Sequence, residues 1–250
     1  MTAPLLPGAE PFSAAGGPHG ALVLHGFTGN PASMRGIATA LAAAGFTVEL
    51  PLLPGHGTVV EDMIPTGWDD WSACAEEVYA DLAARCDTVV VVGLSMGGAL
   101  TVWLATEHPE IAGIVCINAV VSTPDGMREA VEAMLASGQE LMDGIGSDIA
   151  DPDSVESAYP QTPLRPLLSL FDASGAFADR LSTIACPVLV MTSPQDHVVD
   201  PANSELIASA VAGPVERVTL ERSFHVATLD HDRELVEERT VAFARRVSGA

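Results

Sequence analysis

The stretch that most constrains the fold begins at residue 88 and reads TVVVVGLSMGGALTVW. Four consecutive valines, residues 89–92, have the pattern of a strand buried on both faces. The run stops at Gly93-x-Ser95-x-Gly97, and an apolar helical pattern starts at once. A chain that leaves a buried strand and enters a helix through a single polar residue must turn very sharply. Side chains two positions before and two after the serine would collide with neighbouring elements, and glycine at both removes the collision. The hydroxyl then projects above the C-terminal edge of a sheet, at the positive end of a helix. An incidental serine in a glycine-rich turn is the plain alternative. The strand before it and the helix after it favour the chemical reading.

The rest of the chain alternates in the same way. ALVLH from Ala21, FTVEL from Phe46, IAGIVCINAV from Ile111, PVLVMT from Pro187 and ERVTL from Glu216 read as strands. Helical patterns separate them. One is capped by Asn30 with Pro31 in its first turn and stopped by Gly45; another starts at WDDWSACAEE, a third runs from Met96 to about Glu107, and the last from about Asp232 to Val247. Alternation of this kind gives an α/β fold: a mostly parallel sheet with helices on both faces. The 250 residues fit one such domain with an insertion. Between residues 121 and 178 no strand-like run is visible, and GMREAVEAMLASGQELMDGI approximates one helical face. That stretch is expected to be an inserted helical cap, with residues 1–120 and 179–250 forming the core.

Composition narrows the chemistry. The formal net charge is −22, and all eleven basic residues are arginine. Without lysine there is no Schiff-base chemistry and no P-loop. An acidic surface disfavours nucleic acid and anionic membranes. No apolar run reaches the length of a membrane span, and the N-terminus lacks the basic region of a secretory signal, so a cytoplasmic location is expected. Cys74, Cys86, Cys116 and Cys186 have no C-x-x-C spacing, and the last two fall in apparent buried strands. DPDSVE from Asp151 faintly resembles a calcium loop, but Glu156 stands where that loop needs glycine. No metal and no cofactor are expected.

A serine hydroxyl needs a base to become a nucleophile. The Ser95 turn resembles the nucleophile elbow of α/β-hydrolases, in which an acid and then a histidine follow downstream, each in a loop after a core strand. Asp196 stands just past PVLVMT, and His225 a few residues past ERVTL. Asp200 is a rival acid but reads as the cap of the next helix; His197 and His231 are rival histidines. In this assignment His225 takes the Ser95 proton, and Asp196 fixes the imidazole tautomer and stabilises its charged form. The backbone N–H groups of Met96 and of Phe27, in LVLHGFTGNP, would hold the developing oxyanion. His25 and His56 read as structural histidines that pin their loops.

Together HGFTGNP, LPGHGT, GLSMGG, QDHVV and SFHVATLD resemble the bacterial monoacylglycerol lipases and the related small carboxylesterases, within the α/β-hydrolase fold. The resemblance spans nearly the whole chain. It places nucleophile, acid and base on Ser95, Asp196 and His225, and the oxyanion donors on Phe27 and Met96. It also implies a cap that forms a narrow tunnel for one acyl chain. There Ile145 would line the tunnel and Glu156 would accept a hydrogen bond from a glycerol hydroxyl; a solvated helix-face carboxylate is the plain alternative for Glu156. The implied activity is hydrolysis of monoacylglycerols to glycerol and fatty acid, with transient lipid contact at most. A general short-chain carboxylesterase and a non-catalytic ligand receptor on the same fold are the competing readings.

Overall fold

The computed structural model describes residues 3–144 and 146–250. In chain order the elements are β1 (Phe12–Ala14), β2 (His19–Leu24), α1 (Arg35–Ala43), β3 (Thr47–Leu50), α2 (Val60–Met63), α3 (Trp68–Arg85), β4 (Thr88–Leu94), α4 (Met96–Glu107), β5 (Gly113–Ile117), α5 (Met127–Ala136), β6 (Leu141–Asp143), β7 (Gln161–Pro163), α6 (Leu164–Ala178), β8 (Val188–Thr192), α7 (Ala202–Ala210), β9 (Val215–Thr219) and α8 (Arg233–Ser248). Seven strands form one sheet in the order β1-β3-β2-β4-β5-β8-β9. Only β1, an edge strand on β3, runs antiparallel. It is three residues long, too short to leave an alternating pattern in the sequence.

β4 lies centrally, with Val92 opposite Val23 of β2 and Val115 of β5. The period-two pleat divides its valines between two cores. Val89 and Val91 pack with α3 and α4 residues such as Trp71, Ala75 and Leu100. Val90 and Val92 pack on the other face with Ile37 and Leu41 of α1 and Phe243 of α8. Burial on both faces is what the four-valine run requires. α4 is equally enclosed: nine of its twelve residues are buried, so it shows no polar face.

The chain between β5 and β8 departs from expectation. It is not strand-free, since β6 and β7 form an antiparallel pair with Met142 opposite Thr162. Nor does one helical face run through residues 127–144. α5 ends at Ala136, and Gly138 takes a left-handed φ of 88° that closes it, with Gln139 N–H donating to the Met134 carbonyl. α6 follows β7 and packs its Leu164 and Phe171 on Val131 of α5. Cys116 is buried in β5, whereas Cys186 precedes β8 and is half-buried, so it is not a core strand residue. Among the described residues no helix is long and apolar enough to cross a membrane.

Candidate active site

Ser95 joins β4 to α4 with φ 57° and ψ −117°. That conformation costs a non-glycine residue on the order of 1–3 kcal/mol and persists only where the surroundings enforce it. The enforcing contacts are specific. Ser95 N–H donates to the Ile117 carbonyl at 3.0 Å, and its own carbonyl accepts from Ala99 N–H at 3.0 Å. A Cβ on Gly93 would lie 2.0 Å from the Gly97 carbonyl oxygen, and one on Gly97 would lie 2.2 Å from that of Leu24. Both glycines therefore have the steric role read from their spacing.

Asp196 and His225 come together from the loops after β8 and β9. His225 Nδ1 lies 2.7 Å from Asp196 Oδ2, and both side chains are almost wholly buried. The other Asp196 oxygen accepts the Val198 and Val199 N–H groups, each at 2.8 Å. Three donors converge on one carboxylate and fix its orientation; because its oxygens accept, His225 Nδ1 is the nitrogen that carries the hydrogen, which leaves Nε2 with a free lone pair. The rival residues have other work. Asp200 Oδ1 accepts from Ala202 N–H at 2.9 Å, as a cap of α7. His231 precedes Asp232, the N-cap of α8, and His197 is an exposed ring paired with Asp148 at 2.8 Å.

Met96 follows Ser95 as the first residue of α4, and Phe27 lines the same cavity as Ser95. The Phe27 loop is held by histidine chemistry. His25 Nε2 accepts from Leu53 N–H at 3.1 Å, which makes Nδ1 the donor to the Gly26 carbonyl at 3.0 Å. Burial, and next the neighbouring His56, push the His25 pKa down to about 3. Burial likewise lowers His56 to about 4. The His25–His56 and His56–Trp71 rings meet edge-on at 5.0 and 5.7 Å, and Phe27 meets Trp71 at 5.7 Å. Both histidines are thus neutral structural groups, as their loop positions suggest.

Ser95 and His225 open into one cavity of about 210 Å³. Its lining includes an apolar group, Met127, Met142, Leu167, Leu170 and Phe171, from the chain between β5 and β8. Glu156 also lines it, in an irregular segment rather than on a helix. A Cβ on Gly29 would lie 3.0 Å from Glu156 Oε1. Burial raises the Glu156 pKa to about 6, against a pull in the other direction from His225. Ile145, the other expected tunnel residue, lies outside the described residues.

Several contributors were not apparent from the sequence. Tyr159 ties this segment to the Phe27 loop: its N–H donates to the Thr28 carbonyl at 3.1 Å and its hydroxyl to that of Gly55 at 2.9 Å. Asn118, at a left-handed φ of 44°, donates to the His225 carbonyl at 2.8 Å. Asp148 and Asp230 bind the backbone of the His225 loop. Asp230 lies in SFHVATLD, a motif singled out from the sequence, and nothing there assigns it a partner.

A family model described as "Alpha/beta hydrolase family" matches residues 21–238. A thermostable monoacylglycerol lipase of Bacillus sp. (strain H-257) is 48% identical over 250 residues, 98% of each chain. A carboxylesterase of Bacillus subtilis (strain 168) is 28% identical, covering 95% of this chain and 97% of that one. Among solved structures, one from work on LipS and LipT, two metagenome-derived lipolytic enzymes, superposes with a TM-score of 0.93 at 43% identity, covering 97% of this chain and all of that one.

Proposed function

This chain belongs to the alpha/beta hydrolase family and is an ester hydrolase, and on that premise we propose that it cleaves monoacylglycerols through Ser95, His225 and Asp196. The observation that carries the reading is the bonded Asp196–His225 pair opening into the same apolar cavity as a serine on a strained turn. His225 Nε2 takes the Ser95 proton as the hydroxyl oxygen attacks the ester carbonyl. The oxyanion that forms is met by the Phe27 and Met96 N–H groups, which need no reorganisation because their loops are already pinned. Collapse expels glycerol, protonated by His225, and leaves an acyl-enzyme. Water then enters by the same route in reverse and releases the fatty acid.

Residues 121–178 act as the cap over this site. The apolar wall suits one alkyl chain, and its methionines adapt to a flexible one. Glu156, with its carboxylate facing the cavity beside the oxyanion loop, accepts from a free glycerol hydroxyl. A diacylglycerol has one such hydroxyl fewer and a second chain with no room. The identity to a monoacylglycerol lipase over nearly the whole chain supports this preference. The carboxylesterase relative supports the same chemistry with a less selective site.

A fluorophosphonate should label Ser95 and fail on Ser95→Ala, and the variant should lose turnover by roughly 10⁶-fold. Label elsewhere refutes the nucleophile; a wild type without turnover leaves only the receptor reading. Glu156→Ala should cost about 1.5–3 kcal/mol in kcat/KM on a monoacylglycerol, the value of a hydrogen bond to a charged group, and little on a p-nitrophenyl ester. Equal losses on both would mean that Glu156 supports the cap rather than reads the alcohol.

A further inference from the structure

Asp148 lies in the inserted segment, outside the triad, yet its carboxylate reaches both loops that carry the acid and the base. Oδ2 accepts the N–H of His225 at 3.0 Å and the N–H of His197, the residue after Asp196, at 3.2 Å. Oδ1 takes the His197 ring Nδ1 at 2.8 Å. The Asp148 side chain is 11% exposed and lines the cavity. Its carbonyl also accepts from Val226 N–H at 3.1 Å.

We propose that Asp148 is a positioning residue for the Asp196–His225 pair: a carboxylate from the insertion that clamps the loop of the acid to the loop of the base. The inference rests on the triad reading above. His225 is held at both ends of its own backbone, its carbonyl by Asn118 at the end of β5 and its N–H by Asp148. Loss of Asp148 strands the buried His225 N–H without an acceptor, and the loop must shift to find another. Such a shift moves the ring away from Asp196 Oδ2 and away from Ser95. Asp230 stiffens the clamp. It is fully buried, and its carboxylate accepts four main-chain N–H groups: Ala150 at 2.7 Å and Asp151 at 3.0 Å from the insertion, Phe224 at 2.9 Å and His231 at 2.7 Å from the base loop. Residues 148–151 and 223–232 are therefore one mechanical unit, and the insertion helps to aim the base.

The test compares Asp148→Ala with Asp148→Asn on p-nitrophenyl acetate, a substrate too small to need the apolar wall. Asparagine keeps an oxygen for the His225 and His197 N–H groups and turns its NH₂ to His197 Nδ1, which accepts in its other tautomer. Rates are taken per folded molecule, with thermal unfolding of each variant. The alanine variant should lose kcat by roughly 10²-fold, the cost of misplacing a catalytic group, with KM little changed. Its low-field proton resonance from His225 Nδ1–H should weaken or shift. The asparagine variant should recover most of the rate and the resonance. An alanine variant with unchanged kcat and resonance overturns the clamp while Ser95 labelling leaves the triad standing. An asparagine variant as slow as the alanine one also overturns it. If the wild type is not labelled at Ser95, the triad reading falls, and the clamp with it.

Discussion

Gly97→Ala tests the link between backbone crowding and catalysis most directly. The added Cβ would sit 2.2 Å from the Leu24 carbonyl oxygen, 2.6 Å from its carbon and 2.7 Å from the His25 carbonyl oxygen. Ordinary contact begins near 3.4 Å, so the start of α4 must withdraw from the end of β2 by about 1.2 Å, the gap between those two distances. Neither partner is a flexible side chain. Met96 rides on α4, and Phe27 on the loop that continues β2. A hydrogen bond of about 2.9 Å stretched by that much lies beyond the range in which one exists. On the proposed assignment the oxyanion then keeps at most one of its two donors. Removing one such donor costs roughly 10²–10³ in kcat. Overpacking should cost about 1–3 kcal/mol of stability as well. Kinetics on a p-nitrophenyl ester at saturating substrate, alongside urea unfolding, separates the two effects. A variant that folds with wild-type kcat would refute both the crowding argument and the donor assignment.

Buried histidines set one further expectation, and an open helix position sets another. His25 and His56 titrate near 6.5 when unfolded but near 3 and 4 in the fold. Their folded pKa values are depressed, so the unfolded chain binds protons first and stability falls as pH drops below about 6.5. By pH 5 each should have cost about 2 kcal/mol, at 1.36 kcal/mol per pH unit; urea unfolding at pH 7 and pH 5 reads this, and equal stability at both would contradict their neutral burial. Gly175 lies inside α6, where an added Cβ meets nothing within 4 Å. Gly175→Ala should raise stability by about 0.5–1 kcal/mol without altering kcat, and a destabilised variant would mean that α6 packs differently there.

The core and the residues of the proposed triad were legible because their signals are local. β4 and the turn after it need residue types that appear side by side: valine for burial on both faces, glycine where a Cβ would strike backbone. α4 occupies Met96–Glu107, the span its pattern indicates. Asp196 and His225 each sit just past a strand, so topology alone brings them together at one sheet edge. The histidines of HGFTGNP and LPGHGT stood in loops without ligand partners, and a structural role was the economical reading. The insertion offered less. β6 and β7 are three residues each and lie about twenty residues apart, too short for an alternating pattern. α6 begins immediately after a strand, and its run of leucines carries a proline, Pro166, in the first turn.

Asp148 and Asp230 escaped for a deeper reason. A nucleophile, a base or a metal ligand announces itself through the rarity of the groups it needs nearby. A carboxylate whose partners are main-chain N–H groups needs no particular neighbours, since every residue but proline supplies one. Asp230 takes four of them from two segments about 75 residues apart, and no spacing in the sequence encodes that. Its oxygens are satisfied by main-chain N–H groups, which suits a chain with 33 acidic and only 11 basic residues. Replacing it by leucine would leave those N–H groups facing hydrocarbon at about 1–3 kcal/mol each, comparable in sum to the whole stability of a typical domain. The insertion and the base loop are thus joined by a device that neither segment displays alone. Its role emerges only when the two are placed side by side, and it makes the chain over the cavity part of the machinery beneath it.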